Sequence, residues 1–224
     1  MITRLFTTGL ILFLSASLAM SQTAETGKMS FGILGGVNFQ TLTGTDHSGA
    51  ELDNEMLTAY HAGFNIQIPI APEFYFQPGL LYSLKGAKNT GTITTATKVS
   101  YIELPLNLVY KGQLGNGFFI VGLGPYVSYG IGGKVTTTGG DASLDTDVIF
   151  QNSVELSDPL TATYFNPFDA GGNIFAGYEM AGGLFFQLNT QLGMLKANPE
   201  NAWFSNDEAS VKHTGFGLSL GYRF

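Results

Sequence analysis

The sequence predicts an all-β protein: an eight-stranded antiparallel up-and-down transmembrane β-barrel. Three observations lead there. Large apolar residues recur at every second position in eight separate stretches. The connections between those stretches alternate between long and short. The polar face of the stretches carries very little charge.

The chain opens on "MITRLFTTGLILFLSASLAMSQ", with one basic residue, Arg4, and an apolar run from Leu10 to Leu18. Ala19-Met20-Ser21 fits the small-x-small rule for cleavage, so residues 1–21 are predicted to be a secretory signal peptide. No Cys follows, so no lipid anchor is expected there. The predicted barrel domain is 22–224. Without Arg4 the chain keeps 9 basic and 17 acidic side chains, a balance of −8.

The strands follow in order. "FGILGGVNF" begins at Phe31. "YHAGFNIQIPI" puts Ala62, Phe64, Ile66, Ile68 and Ile70 on one parity. "FYFQPGLLYSLK" does the same with Phe74, Phe76, Leu80, Tyr82 and Leu84. "YIELPLNLVY" gives Ile102, Leu104, Leu106, Leu108 and Tyr110. "FFIVGLGPYVSY" starts at Phe118, "NIFAGYEM" at Asn173 and "LFFQLNTQLGML" at Leu184. The last stretch, "HTGFGLSLGYRF", alternates Phe216, Leu218, Leu220, Tyr222 and Phe224 with small or polar residues. This period of two is the mark of a strand with two unlike faces. Lengths of roughly 8–13 residues suit tilted membrane strands.

Short links fall at Ala71–Glu73, Lys111–Gly117 and Ala181–Gly183. Long ones fall at Gln40–Thr58, Gly86–Lys98, Ile131–Gly172 and Lys196–Val211. Strict alternation of long and short is what a meander closed into a barrel produces, with the turns on one rim and the loops on the other. The polar parity carries Asn65, Gln67, Gln77, Asn107, Gln187, Asn189 and Gln191. Uncharged amides suit the cramped interior of an eight-stranded barrel. The apolar parity, with aromatics near strand ends, suits a lipid-facing belt. Charged residues make up 12% of the chain, against roughly a quarter in soluble domains. A negative balance without a basic patch argues against nucleic acid.

The stretches "HAGFNIQIPI", "FQPGLLYSLKGAK", "VSYIELPLNLVYK", "VGLGPYVSYGIGGK", "FNPFDAGGNIFAGYE" and "GLSLGYRF" together resemble the PorT-like outer-membrane β-barrel family of the Bacteroidetes. The resemblance implies an integral outer-membrane location and contact with outer-membrane lipid. Through PorT itself it brings an association with type IX secretion. A terminal strand ending in Tyr222 and Phe224 resembles the C-terminal signal read by the barrel-assembly machinery.

Four charged residues, Lys85, Glu103, Glu179 and Arg223, fall on the inward parity. Buried charges are costly unless paired, so they are expected to form a salt-bridge network in the lumen. A conducting path is the alternative. His61 and His213 are the histidines on strands. Ser219 shares the inward parity with His213 but lies roughly 20 Å away along the strand, too far for a nucleophile–base pair. No GxSxG elbow occurs, and "DASLDTD" lacks the glycine turn and closing Glu of an EF-hand loop. No catalytic, cofactor or metal residues are therefore assigned. The outer loops are acidic, the first with Asp46, Glu51, Asp53 and Glu55. The third has Asp141, Asp145, Asp147, Glu155, Asp158 and Asp169, all expected to be solvated. A structural or interaction role through these loops is expected, with 131–172 meeting a protein partner. A narrow pore or secretion accessory comes second, and a lipid-modifying enzyme last.

Overall fold

The computed structural model of the chain describes residues 28–204 and 207–224; the predicted signal peptide lies outside them. Twelve strands are present among the described residues. They are β1 (Ser30–Thr45), β2 (Leu57–Ala71), β3 (Phe74–Asn89), β4 (Thr94–Leu114), β5 (Gly117–Gly139) and β6 (Ala142–Phe150). The rest are β7 (Ser153–Val154), β8 (Thr163–Phe165), β9 (Phe168–Met180), β10 (Leu184–Gly193), β11 (Glu200–Asn201) and β12 (Ser210–Arg223).

Eight of them close a ring in the order β1-β2-β3-β4-β5-β9-β10-β12, and β12 pairs back onto β1. Neighbours in the ring run antiparallel throughout. Closure satisfies the backbone of every ring strand, which is the condition for a sheet to sit in lipid. The four remaining strands, β6, β7, β8 and β11, stand outside the ring. The expected count of eight therefore describes the barrel and not the whole chain.

The faces divide as the alternation predicts. Ile33, Phe64, Leu80, Leu104, Leu123, Ile174, Leu188 and Leu218 are exposed on the outer surface, while Asn65, Gln77, Asn107 and Gln187 are buried inside. Two aromatic levels bound the apolar band. Near the short turns, Phe74 packs on Tyr110 and Tyr222 on Phe224, with ring centroids 5.3 and 4.9 Å apart. Near the loops, Tyr60 meets Tyr82 at 6.0 Å and Tyr129 meets Phe168 at 5.1 Å. Such girdles mark the two membrane interfaces.

The predicted long links need correction. Gly86–Lys98 is mostly strand, because β3 runs to Asn89 and β4 starts at Thr94. Ile131–Gly139 extends β5, and Phe168–Gly172 opens β9. Of these, Thr94–Lys98 and Ile131–Gly139 are rich in Thr and stand above the apolar band. Val135 is buried under the cap, but neither face meets lipid, so no regular apolar parity marks them, although Thr is a good strand former.

Candidate functional site

The lumen is built from inward side chains of all eight ring strands, and it has three levels. At the short-turn end, Glu179 of β9 is held by two cations. Arg223 Nε of β12 donates to its Oε2 at 2.9 Å, and Lys111 Nζ of β4 donates to its Oε1. The guanidinium also donates to Asn65 Oδ1 at 3.0 Å and lies 5.1 Å from the Phe185 ring. That ring sits directly on Gly221, where a Cβ would collide with it. Glycine at 221 is thus what lets Phe185 pack beneath Arg223.

At the loop end, Lys85 of β3 is fully buried. Its Nζ lies 2.9 Å from Glu103 Oε2 and 3.0 Å from Asp169 Oδ2, and 4.1 Å above the Tyr126 ring. The Asp169 contact is a hydrogen bond and the Glu103 contact a close ion pair. Gln191 donates to the other Glu103 oxygen, and Tyr126 donates to Asp169 Oδ2 at 3.2 Å. One cation between two carboxylates leaves this cluster with a formal charge of −1, against +1 for the Glu179 cluster.

Between them lies a cavity of about 70 Å³ lined by amides and hydroxyls together with Leu34, Leu81, Pro105 and Phe175, room for a few water molecules. Asn107 Oδ1 and Gln187 Nε2 line it with no protein partner. Beside it, His61 Nδ1 lies 2.7 Å from Asn38 Oδ1 and Nε2 lies 2.8 Å from Ser219 Oγ. An amide oxygen only accepts, so Nδ1 carries the proton and Nε2 receives the Ser219 hydroxyl. Asn189 Nδ2 donates to the same hydroxyl at 2.8 Å. Orienter, base and hydroxyl stand in the order of a hydrolytic triad. The adjoining cavity, however, has no room for an acyl substrate.

Above Lys85 the barrel mouth is closed. Leu42, Val99, Tyr101, Val135, Val148, Phe165 and Ala197 form one buried apolar cluster, with Phe150 and Val211 packed on it. Tyr101 Oη is hydrogen-bonded to His213 Nε2 at 3.1 Å, and Phe165 stacks on the same ring. Strands β6 and β8 contribute to this cap because they pair in parallel at Val148–Phe150 and Thr163–Phe165. Asn166 ties it down, donating to the Lys196 and Asn198 carbonyls at 2.8 Å each.

The four inward charges read from the sequence are all buried in the lumen, in two clusters rather than one. Tyr222 and Phe224 lie on the outer face beside the short turns. Asp169, expected to be solvated with the loop acids, is instead buried on β9. Counting back by twos from Glu179 reaches it, so the signal was there. Lys111 opens the predicted short link Lys111–Gly117, yet β4 continues to Leu114 and carries it inward. His61–Ser219 was missed because cross-strand register, not sequence spacing, brings them together. The "DASLDTD" acids are spread along a hairpin. No group of three metal-ligating side chains gathers among the described residues.

Residues 20–196 match the outer membrane protein beta-barrel domain family. The chain belongs to this family. It is therefore an outer-membrane β-barrel protein, with its short turns on the periplasmic rim and its loops outside. No curated protein matches it. Among solved structures it is similar to Ail, the attachment invasion locus protein of Yersinia pestis, crystallised with the heparin analogue sucrose octasulfate. That likeness is 13% identity and a TM-score of 0.41, covering 88% of this chain and 100% of that one. Neisserial surface protein A shows 10% identity and a TM-score of 0.44, with 88% and 100% covered. The N-terminal barrel domain of Pseudomonas aeruginosa OprF shows 14% identity and a TM-score of 0.36, with 89% and 100% covered.

Proposed function

We propose that this protein is a closed outer-membrane barrel that acts through its extracellular elements, docking a protein partner on the segment 131–172. In this reading residues 1–21 are a cleaved signal peptide and 22–224 the barrel. Lys85, Glu103, Glu179 and Arg223 serve as internal struts. Tyr222 and Phe224 address the assembly machinery.

The observation that carries the reading is the apolar cap over the Lys85 cluster. A pore needs a continuous wet path. Here an apolar plug and two ion clusters interrupt it, while the strands β5 and β6 project beyond the cap. The Ser219 site is sealed beneath the same plug, which disfavours an enzyme. The PorT-like kinship and a place in type IX secretion rest on the sequence resemblance and enter as the finer form of this proposal.

The test replaces Asp141–Thr163 with a short Gly-Ser link. This removes the projecting strand and takes Val148 and Phe150 out of the cap. The expected result is an assembled barrel that loses a cross-linked partner from outer membranes, with planar-bilayer conductance still near baseline. A large rise in conductance with no partner lost would instead establish a gated pore.

A further inference from the structure

Above the membrane, the extensions of β3, β4 and β5 continue with β6 as a small extracellular sheet. Its two edges differ. On the β3 side, Lys88 bridges to Glu55, and Asn89 donates to the Asp53 carbonyl at 3.1 Å, so the first loop covers that edge. On the β6 side, Ala142–Asp147 pairs with β5 along one flank only; β8 joins just at Val148–Phe150. Every residue from Asp141 to Asp147 is exposed.

The hairpin geometry says which groups are free. Gly139 pairs with Ala142 across the two-residue turn Gly140-Asp141, with Gly140 at φ +59°. That closing pair is hydrogen-bonded, so bonded and non-bonded pairs alternate from there. Ser143, Asp145 and Asp147 therefore turn their backbone N–H and C=O groups away from β5, toward the open side. Their side chains share one face of the sheet. Asp145 accepts from Thr136 Oγ1 at 2.8 Å and lies 3.8 Å from Lys134 Nζ. Asp147 sits opposite Lys134 with no ion pair of its own among the described residues.

An unpaired edge is a template for another strand unless something blunts it. Here there is no proline and no bulge in Ala142–Asp147, and the carboxylates lie on the sheet face rather than across the edge. Two copies of β6 meeting edge to edge would bring Asp145 and Asp147 against the same acids, and like charges directly opposite destabilise pairing. A strand with cationic residues at alternate positions would place them beside the two carboxylates.

We propose that the free edge of β6, Ala142–Asp147, is a strand-addition site for an extended basic segment of a partner protein. Main-chain hydrogen bonds supply the pairing, and Asp145 and Asp147 select lysine or arginine at alternate positions. This rests on the interaction reading above and names the chemistry of the partner.

The test uses the full chain refolded into lipid nanodiscs and a fluorescent peptide, Thr-Lys-Val-Lys-Thr-Lys-Val, followed by anisotropy at low salt. A second peptide carries Glu in place of Lys. Ser143→Pro removes an outward N–H without touching a β5 bond. Asp145→Asn with Asp147→Asn removes the charge and keeps the hairpin. The expected result is binding of the Lys peptide, at least tenfold weaker in each variant, with no binding of the Glu peptide. Absence of Lys-peptide binding, equal binding of both peptides, or unchanged binding by Ser143→Pro overturns the proposal. So does a dimer of the native chain that Ser143→Pro dissolves, which would make the occupant a second copy. If the peptide fails while the Asp141–Thr163 replacement still strips a partner, the edge proposal falls and the interaction reading stands. If the replacement strips nothing, the interaction reading falls as well.

Discussion

Arg223 Nε donates to Glu179 Oε2 at 2.9 Å, although 44 positions and the whole of β10 separate them. The pair spans the lumen interior, and Lys111 approaches the same carboxylate from the opposite wall. The short-turn end is thus cross-braced by charge where a soluble protein would use an apolar core. These ion pairs act beside a small buried apolar cluster of Val109, Ile120 and Phe175.

Arg223→Ala should destabilise the barrel. It leaves Glu179 with Lys111 alone and strips Asn65 of its donor. Breaking a buried pair costs about 3–5 kcal/mol, and the surviving Lys111 contact places the loss at the lower end. Arg223→Lys keeps the charge but loses the fork, and should fall between. Urea midpoints of the refolded barrel measure both. An unchanged midpoint for Arg223→Ala would show the guanidinium to be water-solvated.

The Lys85 cluster makes a different prediction. Lys85→Met leaves two carboxylates, Glu103 and Asp169, buried with no cation, so its loss should exceed that of Arg223→Ala. Neutralising the whole group, with Glu103→Gln and Asp169→Asn added, should recover most of it, since replacing a complete buried ion cluster is often near neutral. If the triple variant is no more stable than Lys85→Met alone, packing rather than charge holds this level.

What the sequence made legible follows from where a two-faced environment exists. Between lipid and lumen, alternation fixed which face of every ring strand points inward, so Lys85, Glu103, Glu179 and Arg223 were readable by counting. Above the membrane that contrast ends. The Thr-rich extensions at Thr94–Thr97 and Thr136–Thr138 read as loop because neither face is bound to be apolar. The His61–Ser219 contact and the Lys85–Asp169 pair depend on inter-strand register and on which strands become neighbours across the lumen. Parity supplies neither. Val148 and Phe165 fall in the predicted third loop, and their place in a cap depends on the parallel pairing of β6 with β8.

The outer loops carry a pH prediction. His47 Nδ1 lies 2.8 Å from Asp207 Oδ1 and its ring stacks on Phe204 at 4.0 Å, clasping the first loop to the segment before β12. Partial burial alone would raise the Asp207 pKa. Hydrogen bonds from the Ala209 backbone N–H and from His47 outweigh it, and the carboxyl is held below its usual range. A depressed carboxyl gives stability that is full above its unfolded value, about 4, and is lost as pH falls through the folded value. Hydrogen exchange in Asp46–Glu55 should therefore stay slow down to about pH 4 and quicken below it. Asp207→Asn should remove that acid limb while leaving the barrel strands protected. Exchange that is flat from pH 6 to well below the carboxylate range would show the clasp to be idle.

The apolar band and the extracellular sheet can be told apart by one substitution made at two leucines. Leu123 and Leu144 are 57% and 67% exposed, so exposure does not distinguish them. Position does. Leu123 lies on β5 between the aromatic levels, paired with Leu108 and Ile174. Leu144 lies on the β6 hairpin opposite Thr137, above the upper level. In lipid, arginine near the midplane costs roughly 2–4 kcal/mol, falling toward zero at the interfaces. Leu123→Arg should therefore lower unfolding stability in vesicles by about that amount, while Leu144→Arg should leave it within about 0.5 kcal/mol of the native value. In detergent, whose shell deforms around a charge more readily than a bilayer, the gap should narrow. Equal and small effects in vesicles would mean that the band does not contact hydrocarbon, and the membrane-spanning assignment of these strands would fail.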